Sequence, residues 1–359
     1  MNKELLMFSK IGVACKKYKL LRENLGNNKC YHDLLMQKEE LCCEILGKEK
    51  YAKLKVALKE ENINKYIAEL EKMGMKYILC EDKDYPISLK CNEDYPLVIY
   101  YVGNKSLLSK TIITIVGTRT PTSYGTIIAN KFTKELASAG LVTMSGLAYG
   151  VDTIVAKATL EAKGETIAFL AGGLDCIYPE ENTMLARQIV KDGGLVMSTY
   201  PPYKSALKFS FLERNNYMSS ISKGTLIIEA AKKSGTLASA NYTIENGREL
   251  FVIPGNINSA KSAGSNDLIN QFPETFTISV DKILAKLGIK YELKNEDKSL
   301  TLDEDEIMIL GSIINEEKNI DQIAEETKID SKFLIRKLTM MEINGLIKKL
   351  PGNFYIGIK

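Results

Sequence analysis

Four short strings hold the residues best suited to chemistry, and each sets glycine or amide residues beside hydroxyls or cations. In Gly117-Thr-Arg-Thr-Pro-Thr-Ser-Tyr-Gly125, Gly117 permits a tight turn and Thr118, Thr122 and Ser123 supply hydroxyls. Arg119 adds a planar fork. Main-chain N–H groups at a helix start, with an arginine beside them, form the donor set that a phosphate accepts from. Ser145-Gly-Leu-Ala-Tyr-Gly-Val-Asp152 has the same logic. Ser145 and Gly146 allow a ligand backbone to come close, Tyr149 offers a ring for a base, and Asp152 can cap a helix or orient Arg119. In Glu229-Ala-Ala-Lys-Lys-Ser-Gly-Thr236, Ser234, Gly235 and Thr236 read as another anion site at a helix start. In Phe211-Leu-Glu-Arg-Asn-Asn216, Arg214 beside Asn215, with Lys208 just upstream, suits backbone phosphates. A further loop, Gly172-Gly-Leu-Asp-Cys-Ile-Tyr-Pro179, carries Asp175, which would repel phosphate and is expected to hold a main-chain turn. No Gly-Lys-Ser/Thr follows the first string, so it is not a P-loop, and the three-glycine dinucleotide fingerprint is absent.

Composition removes several alternatives. The chain has 359 residues, a formal charge of +3, seven cysteines and a single histidine, His32. One histidine gives little support to the common hydrolase or multi-histidine metal designs. No Cys-x-x-Cys pair occurs, so neither a zinc site nor a disulfide framework is expected, and the usage fits a reducing compartment. No apolar run reaches membrane-spanning length, and the N-terminus has no cleavable leader pattern. The reading is a cytoplasmic chain without membrane segment, metal or cofactor. Near-neutral bulk charge says nothing for or against nucleic acid, but its distribution is uneven. Residues 1–80 hold 16 Lys/Arg against 11 Asp/Glu, residues 301–330 hold ten carboxylates against two lysines, and residues 331–359 hold six cations against one carboxylate.

The elements that must position these strings follow from periodicity. Apolar, β-branched runs at Thr111–Val116, Leu141–Met144, Thr166–Leu170, Leu195–Ser198, Thr225–Ile228 and Glu249–Ile253 alternate with helix-length segments. That rhythm predicts a Rossmann-like α/β core with a parallel sheet covered on both faces. The strings then lie at the C-terminal ends of the strands, the edge where such sheets bind ligands. Ahead of this core, residues 1–80 read as short helices, with Leu54, Leu58, Ile63, Tyr66, Ile67 and Leu70 at helical spacing. Asp82–Pro96 reads as turns, and Leu97–Val102 as a strand entering the core. The expected division is a helical domain over 1–80, the Rossmann-like domain over 81–290, a linker over 291–304 and a winged helix over 305–359. In that last unit Phe333, Leu334, Leu338 and Met341 are expected inward, and Lys332, Arg336 and Lys337 suit backbone rather than base contact.

Taken together, the ordered strings resemble the DNA-processing protein A (DprA/Smf) family. The likeness runs from Tyr85 to about Leu287 and includes Gly247-Arg248, Pro254-Gly255 and Gly264-Ser-Asn266 besides the strings above. It implies a helical N-terminal domain of the SAM or helix-hairpin-helix kind and a C-terminal winged helix. It also implies single-stranded DNA as ligand, help in loading RecA recombinase during natural transformation or recombination, homodimers formed through the Rossmann-like domain, and no enzymatic step. Carried onto this chain, Arg119, the Ser145-Gly146 main chain, Arg214 and Ser234-Gly235 would surround phosphates or a base. The chain departs from the family pattern where Tyr149 replaces an arginine and Asn216 replaces the second arginine of an Arg-Asn-Arg motif. Two other readings stay open. One is a phosphoribohydrolase-like enzyme using Glu229 or Asp152. The other is a regulatory interaction protein whose winged helix binds DNA.

Overall fold

The computed structural model describes residues 2–25, 30–289, 302–314, 316–343 and 346–357. Its contacts divide the chain into two units, residues 1–291 and 292–359. The expected linker at 291–304 lies largely outside the described residues.

The first unit is built on an eight-stranded sheet with the order β1-β2-β6-β5-β4-β3-β7-β8. The strands are β1 Lys76–Leu79, β2 Val98–Gly103, β3 Ile112–Gly117, β4 Val142–Ser145, β5 Thr166–Leu170, β6 Leu195–Ser198, β7 Gly224–Ile228 and β8 Glu249–Val252. From β6 to β8 all neighbours are parallel, whereas β1 and β2 join antiparallel at one edge. The six parallel strands are those expected from the apolar runs. Sequence periodicity predicts short helices over residues 1–80, but β1 ends that run at Lys76–Leu79. Gly74 at φ 68° stops the preceding helix, and Lys76-Tyr-Ile-Leu79 then pairs in register with Leu79 opposite Val98.

Alternation along β3 explains the two covered faces. Ile113 and Ile115 pack with Ala129, Phe132, Leu136, Val151 and Val155 of helices α7 (Ser123–Ser138) and α8 (Val151–Glu161). Thr114 faces the other way, and its hydroxyl donates to the Met218 carbonyl of α10 (Lys208–Ile221) at 3.4 Å. Between α8 and α10 lies α9 (Thr183–Lys191), and α11 (Gly235–Glu245) follows β7. The chain steps outward through β4, β5 and β6, then returns to place β7 on the far side of β3. The reversal at β3 and β7 opens a crevice at the strands' C-terminal ends.

The N-terminal helices α1 to α6 (Leu5–Ile11, Cys15–Glu23, Tyr31–Gln37, Glu39–Leu46, Lys48–Ala57 and Glu60–Lys72) share one apolar cluster with the sheet. Buried Tyr100 of β2 ties them in, accepting from the Tyr66 hydroxyl at 3.4 Å and donating to Ser9 Oγ at 3.2 Å. Within Asp82–Pro96 the expected turns are present, and the Tyr85 hydroxyl locks them by donating to the Pro96 carbonyl at 2.6 Å.

The second unit has a core of Ile309, Ile313, Ile323, Leu334, Leu338, Met341, Ile347 and Tyr355. Three helices (Glu304–Ile313, Ile320–Thr327 and Ser331–Ile343) and a sheet formed by Ile347–Leu350, Phe354–Gly357 and Lys318–Asn319 surround it. Leu334, Leu338 and Met341 point inward as their i, i+4, i+7 spacing requires. Phe333 falls off that stripe and is exposed, contrary to expectation. Among the described residues no helix is long and apolar enough to cross a membrane.

Candidate functional site

The crevice edge is assembled by glycines that let backbone and charge come close. An added Cβ at Gly117 would stand 1.9 Å from the Ile228 carbonyl oxygen. Only glycine therefore allows the β3 end to lie against the β7 end. Thr118 N–H donates across to the Glu229 carbonyl at 2.9 Å, and Val151 N–H donates to the Thr118 carbonyl at 3.2 Å. These bonds fasten the Gly117–Gly125 loop to the start of the Glu229–Thr236 loop and to the end of the Ser145–Asp152 loop.

Two buried carboxylates hold the loops. Glu229 sits at φ 52°, a left-handed conformation that glutamate adopts at a cost. Its carboxylate accepts from Thr122 N–H at 2.9 Å and from the Thr122 hydroxyl. Thr122 in turn caps α7, accepting from Gly125 N–H at 3.0 Å. Asp152, 7% exposed, accepts from Gly146 N–H at 3.0 Å and Ala148 N–H at 3.4 Å. Burial raises its pKa, and Arg214, the two N–H groups and Arg119 oppose that rise. Both carboxylates are turned into the loops they hold.

Arg214 is the buried partner of this arrangement. It is 4% exposed, and its Nη1 donates to the Phe169 carbonyl at 2.7 Å. Gly146 makes room for it, since a Cβ there would come 1.5 Å from Nη1. Burial pulls its pKa down, as does Arg119, while Asp152 pushes it up. The expectation that the Arg214 side chain lies open to a strand is corrected here. Position 214 is on the inward face of α10, where the guanidinium is enclosed by β5 and the Ser145–Asp152 loop.

Arg119 is exposed, and no carboxylate pairs with it among the described residues. Its guanidinium carbon lies 5.2 Å from the Phe211 ring centroid, with that of Arg214 at 5.9 Å. Phe211 therefore links the buried arginine to the exposed one. Tyr178 meets Phe211 edge to face at 5.9 Å, and Tyr149 meets Tyr178 likewise at 6.2 Å. Tyr149 is 40% exposed and Tyr178 50%. The Tyr149 hydroxyl donates to Glu181 at 2.9 Å. Both Phe211 and Tyr178 lie within strings whose residue types drew notice, but neither was assigned a role from sequence. The available signal was Phe211 three residues before Arg214, on the same helical face.

The other expected residues divide into contacts and supports. Ser145 is buried, its hydroxyl donating to the Asp152 carbonyl at 3.1 Å. Its side chain is thus a support. Ser234 caps α11 by accepting from Thr236 N–H at 3.1 Å, and the Thr236 hydroxyl donates to the Gly117 carbonyl at 3.0 Å. That bond brings the third string to the first. Gly235 is exposed with open space where a Cβ would stand. Ser123 and Lys208 are exposed, and Asn215 is half-buried, one residue beyond Arg214 on α10. Asp175 accepts from Tyr203 N–H at 3.0 Å, the turn-holding role expected of it. From outside the strings, the Lys261 ammonium donates to the Thr120 carbonyl and brings a further segment to the first loop. Ser219, Ser220 and Ser222 are buried within the unit. Among the described residues no cluster could hold a metal ion.

Comparisons with known proteins agree with this architecture. Residues 76–288 match the family described as DNA recombination-mediator protein A. The chain is 39% identical over 206 residues to DNA processing protein DprA of Bacillus subtilis (57% of this chain, 69% of the relative). It is 30% identical over 306 residues to Protein Smf of Escherichia coli (82% and 80%). The structure of DNA processing protein A from Streptococcus pneumoniae superposes with a TM-score of 0.68 at 27% identity, covering 81% of this chain and 99% of that one. A structure from Helicobacter pylori, described as revealing the single-stranded DNA binding mode of DNA processing protein A, gives 0.53 at 31%, covering 59% and 95%.

Proposed function

Because the chain belongs to the DNA recombination-mediator protein A family, we propose that it binds single-stranded DNA at the crevice edge without cleaving or modifying it. The observation that carries this reading is Arg119, an exposed guanidinium without a carboxylate partner among the described residues, seated on Phe211 beside the open rings of Tyr178 and Tyr149. Phosphate contacts position a strand and unstacked bases supply sequence-tolerant affinity. Gly117, Thr118, Ser123, the Gly146 main chain and Ser234-Gly235-Thr236 border the same edge, with Lys208 and Asn215 on α10. Arg214 and Ser145 act from beneath by holding the loops.

An enzymatic reading through Glu229 or Asp152 has less support. A general base must reach a water, and both carboxylates are buried, Glu229 3% and Asp152 7% exposed, and turned toward main-chain donors of the loops they hold. The proposal extends to the cytoplasm, to a homodimer, to RecA recombinase as the protein served, and to a winged helix in the second unit. The family resemblance supports each of these.

The test is a salt-series titration of homopolymeric single strands and equal-length duplex with the wild type and Arg119→Ala. The variant should bind weakly with little dependence on sequence, and its log–log salt slope should fall by about one phosphate contact, roughly 0.7 for a single strand. Equal dissociation constants at low salt would remove Arg119 from the site.

A further inference from the structure

The aromatic residues at the crevice edge, half-buried Phe211 and exposed Tyr178 and Tyr149, do not have equal access to a base. Phe211 lies beneath two guanidinium groups, at 5.2 and 5.9 Å from its centroid. A nucleobase taking that ring would have to displace a cation whose attraction to the π-face is favourable. Tyr178 and Tyr149 carry no such cation among the described residues. They pack edge to face, at interplanar angles of 73° for Tyr178 with Phe211 and 82° for Tyr149 with Tyr178. Both keep a large exposed surface. The Tyr149 hydroxyl is fixed on Glu181, so the polar tip is bound to protein.

We propose that Tyr178 and Tyr149 form the base-stacking surface of this site, taking unpaired nucleobases, while Phe211 serves as the seat of Arg119. The inference rests on the reading of the crevice as a single-strand site and specifies which rings meet the bases. Ring spacing bears on strand selectivity. The Tyr149 and Tyr178 centroids stand 6.2 Å apart, whereas stacked nucleotides in duplex rise about 3.4 Å each. Rings so spaced and so tilted match bases that have been pulled out of their stack. Glu181 is a positioning residue. Its carboxylate holds the Tyr149 ring in place and touches no base.

The experiment uses the full-length chain and three variants: Tyr149→Ala with Tyr178→Ala combined, Phe211→Ala, and Arg119→Ala. Each is titrated with an oligothymidine carrying one 2-aminopurine, and with the same strand made abasic at its centre. Melting curves confirm that each variant is folded. The double tyrosine variant should bind the intact strand roughly 5- to 150-fold more weakly. Its salt slope should be unchanged, because no phosphate contact is removed. It should also lose the 2-aminopurine fluorescence change and no longer distinguish intact from abasic strand. Arg119→Ala should keep that fluorescence change at saturation and lose salt slope instead. Wild-type affinity and fluorescence in the double tyrosine variant would overturn the assignment, as would a fluorescence change that disappears only in Phe211→Ala. If the wild type binds no single strand at all, the functional reading fails and this assignment fails with it. Binding by the wild type with indifferent tyrosines refutes the assignment alone.

Discussion

Replacing Gly146 with alanine tests whether the buried arginine organises the crevice. The new Cβ would stand 1.5 Å from Arg214 Nη1 and 2.1 Å from its Cζ, so the guanidinium must leave its place. Leaving breaks the 2.7 Å bond from Nη1 to the Phe169 carbonyl, a charge-assisted contact worth about 1.5–3 kcal/mol. It also draws Arg214 away from Asp152, whose negative charge favours the guanidinium in its buried place. The expected loss is therefore about 1.5–3 kcal/mol of unfolding free energy, measured by denaturant titration. Single-strand binding should weaken in the same variant, because Arg119 and Arg214 share the Phe211 ring. The decisive control is the same substitution in an Arg214→Ala background. With no guanidinium to displace, Gly146→Ala should there cost under about 1 kcal/mol, a coupling that a double-mutant cycle isolates. A single variant as stable as the wild type, or an equal cost in both backgrounds, would refute the role given to Arg214.

Other positions separate contact from support. Gly235→Ala meets no atom within 4 Å and should leave stability within about 1 kcal/mol of the wild type. A measurable loss of single-strand affinity in that folded variant would show the strand passing over the start of α11, and unchanged affinity would remove Gly235 from the contact surface. Deleting residues 300–359 should leave most single-strand binding intact, since Lys337 is tied to Asp303 and Asp305; loss of nearly all binding in a titration would reverse that view. Thiol labelling should modify exposed Cys91 first and leave buried Cys15, Cys42 and Cys80 unreacted until denaturant is added. Burial pushes the Cys80 thiol up to about 12, so rapid labelling of Cys80 in the native chain, read by peptide mass mapping, would contradict the packing of β1.

The parallel core was legible because continuous apolar strands and glycine-rich ends are local properties of sequence. The loops at the crevice were legible as polar clusters for the same reason. Their internal division was not. Whether an arginine faces water or a carbonyl depends on which helical face its neighbours cover. For Arg214 that was settled by β5 and the Ser145–Asp152 loop, both more than forty residues away in the chain. β1 was missed because Lys76-Tyr-Ile-Leu79 is too short to show a period of its own. Only the partner strand β2 makes it a strand. Sequence places Phe333 in the core because the three-residue apolar string Phe333-Leu334-Ile335 gives no phase until the buried stripe at Leu334, Leu338 and Met341 is fixed.

The arrangement of charge at the crevice follows from a conflict between burial and binding. A guanidinium that must hold loops together needs to be dry and fixed, yet one that meets a strand needs to be wet and free of local carboxylates. This chain separates the two needs between two arginines on one ring. Arg214 sits below Phe211, its charge answered by Asp152 and the Phe169 carbonyl. Arg119 sits against the same ring in solvent, beyond reach of a salt bridge among the described residues. Asp152 offsets one of two positive charges, so the group as a whole retains one, and that one is exposed. An anionic backbone can satisfy that charge without disturbing the buried pair. Tyr149 contributes an exposed aromatic face at this edge rather than a further cation. The resulting site should depend more on unstacked bases and less on salt, which the comparison of intact with abasic strands resolves directly.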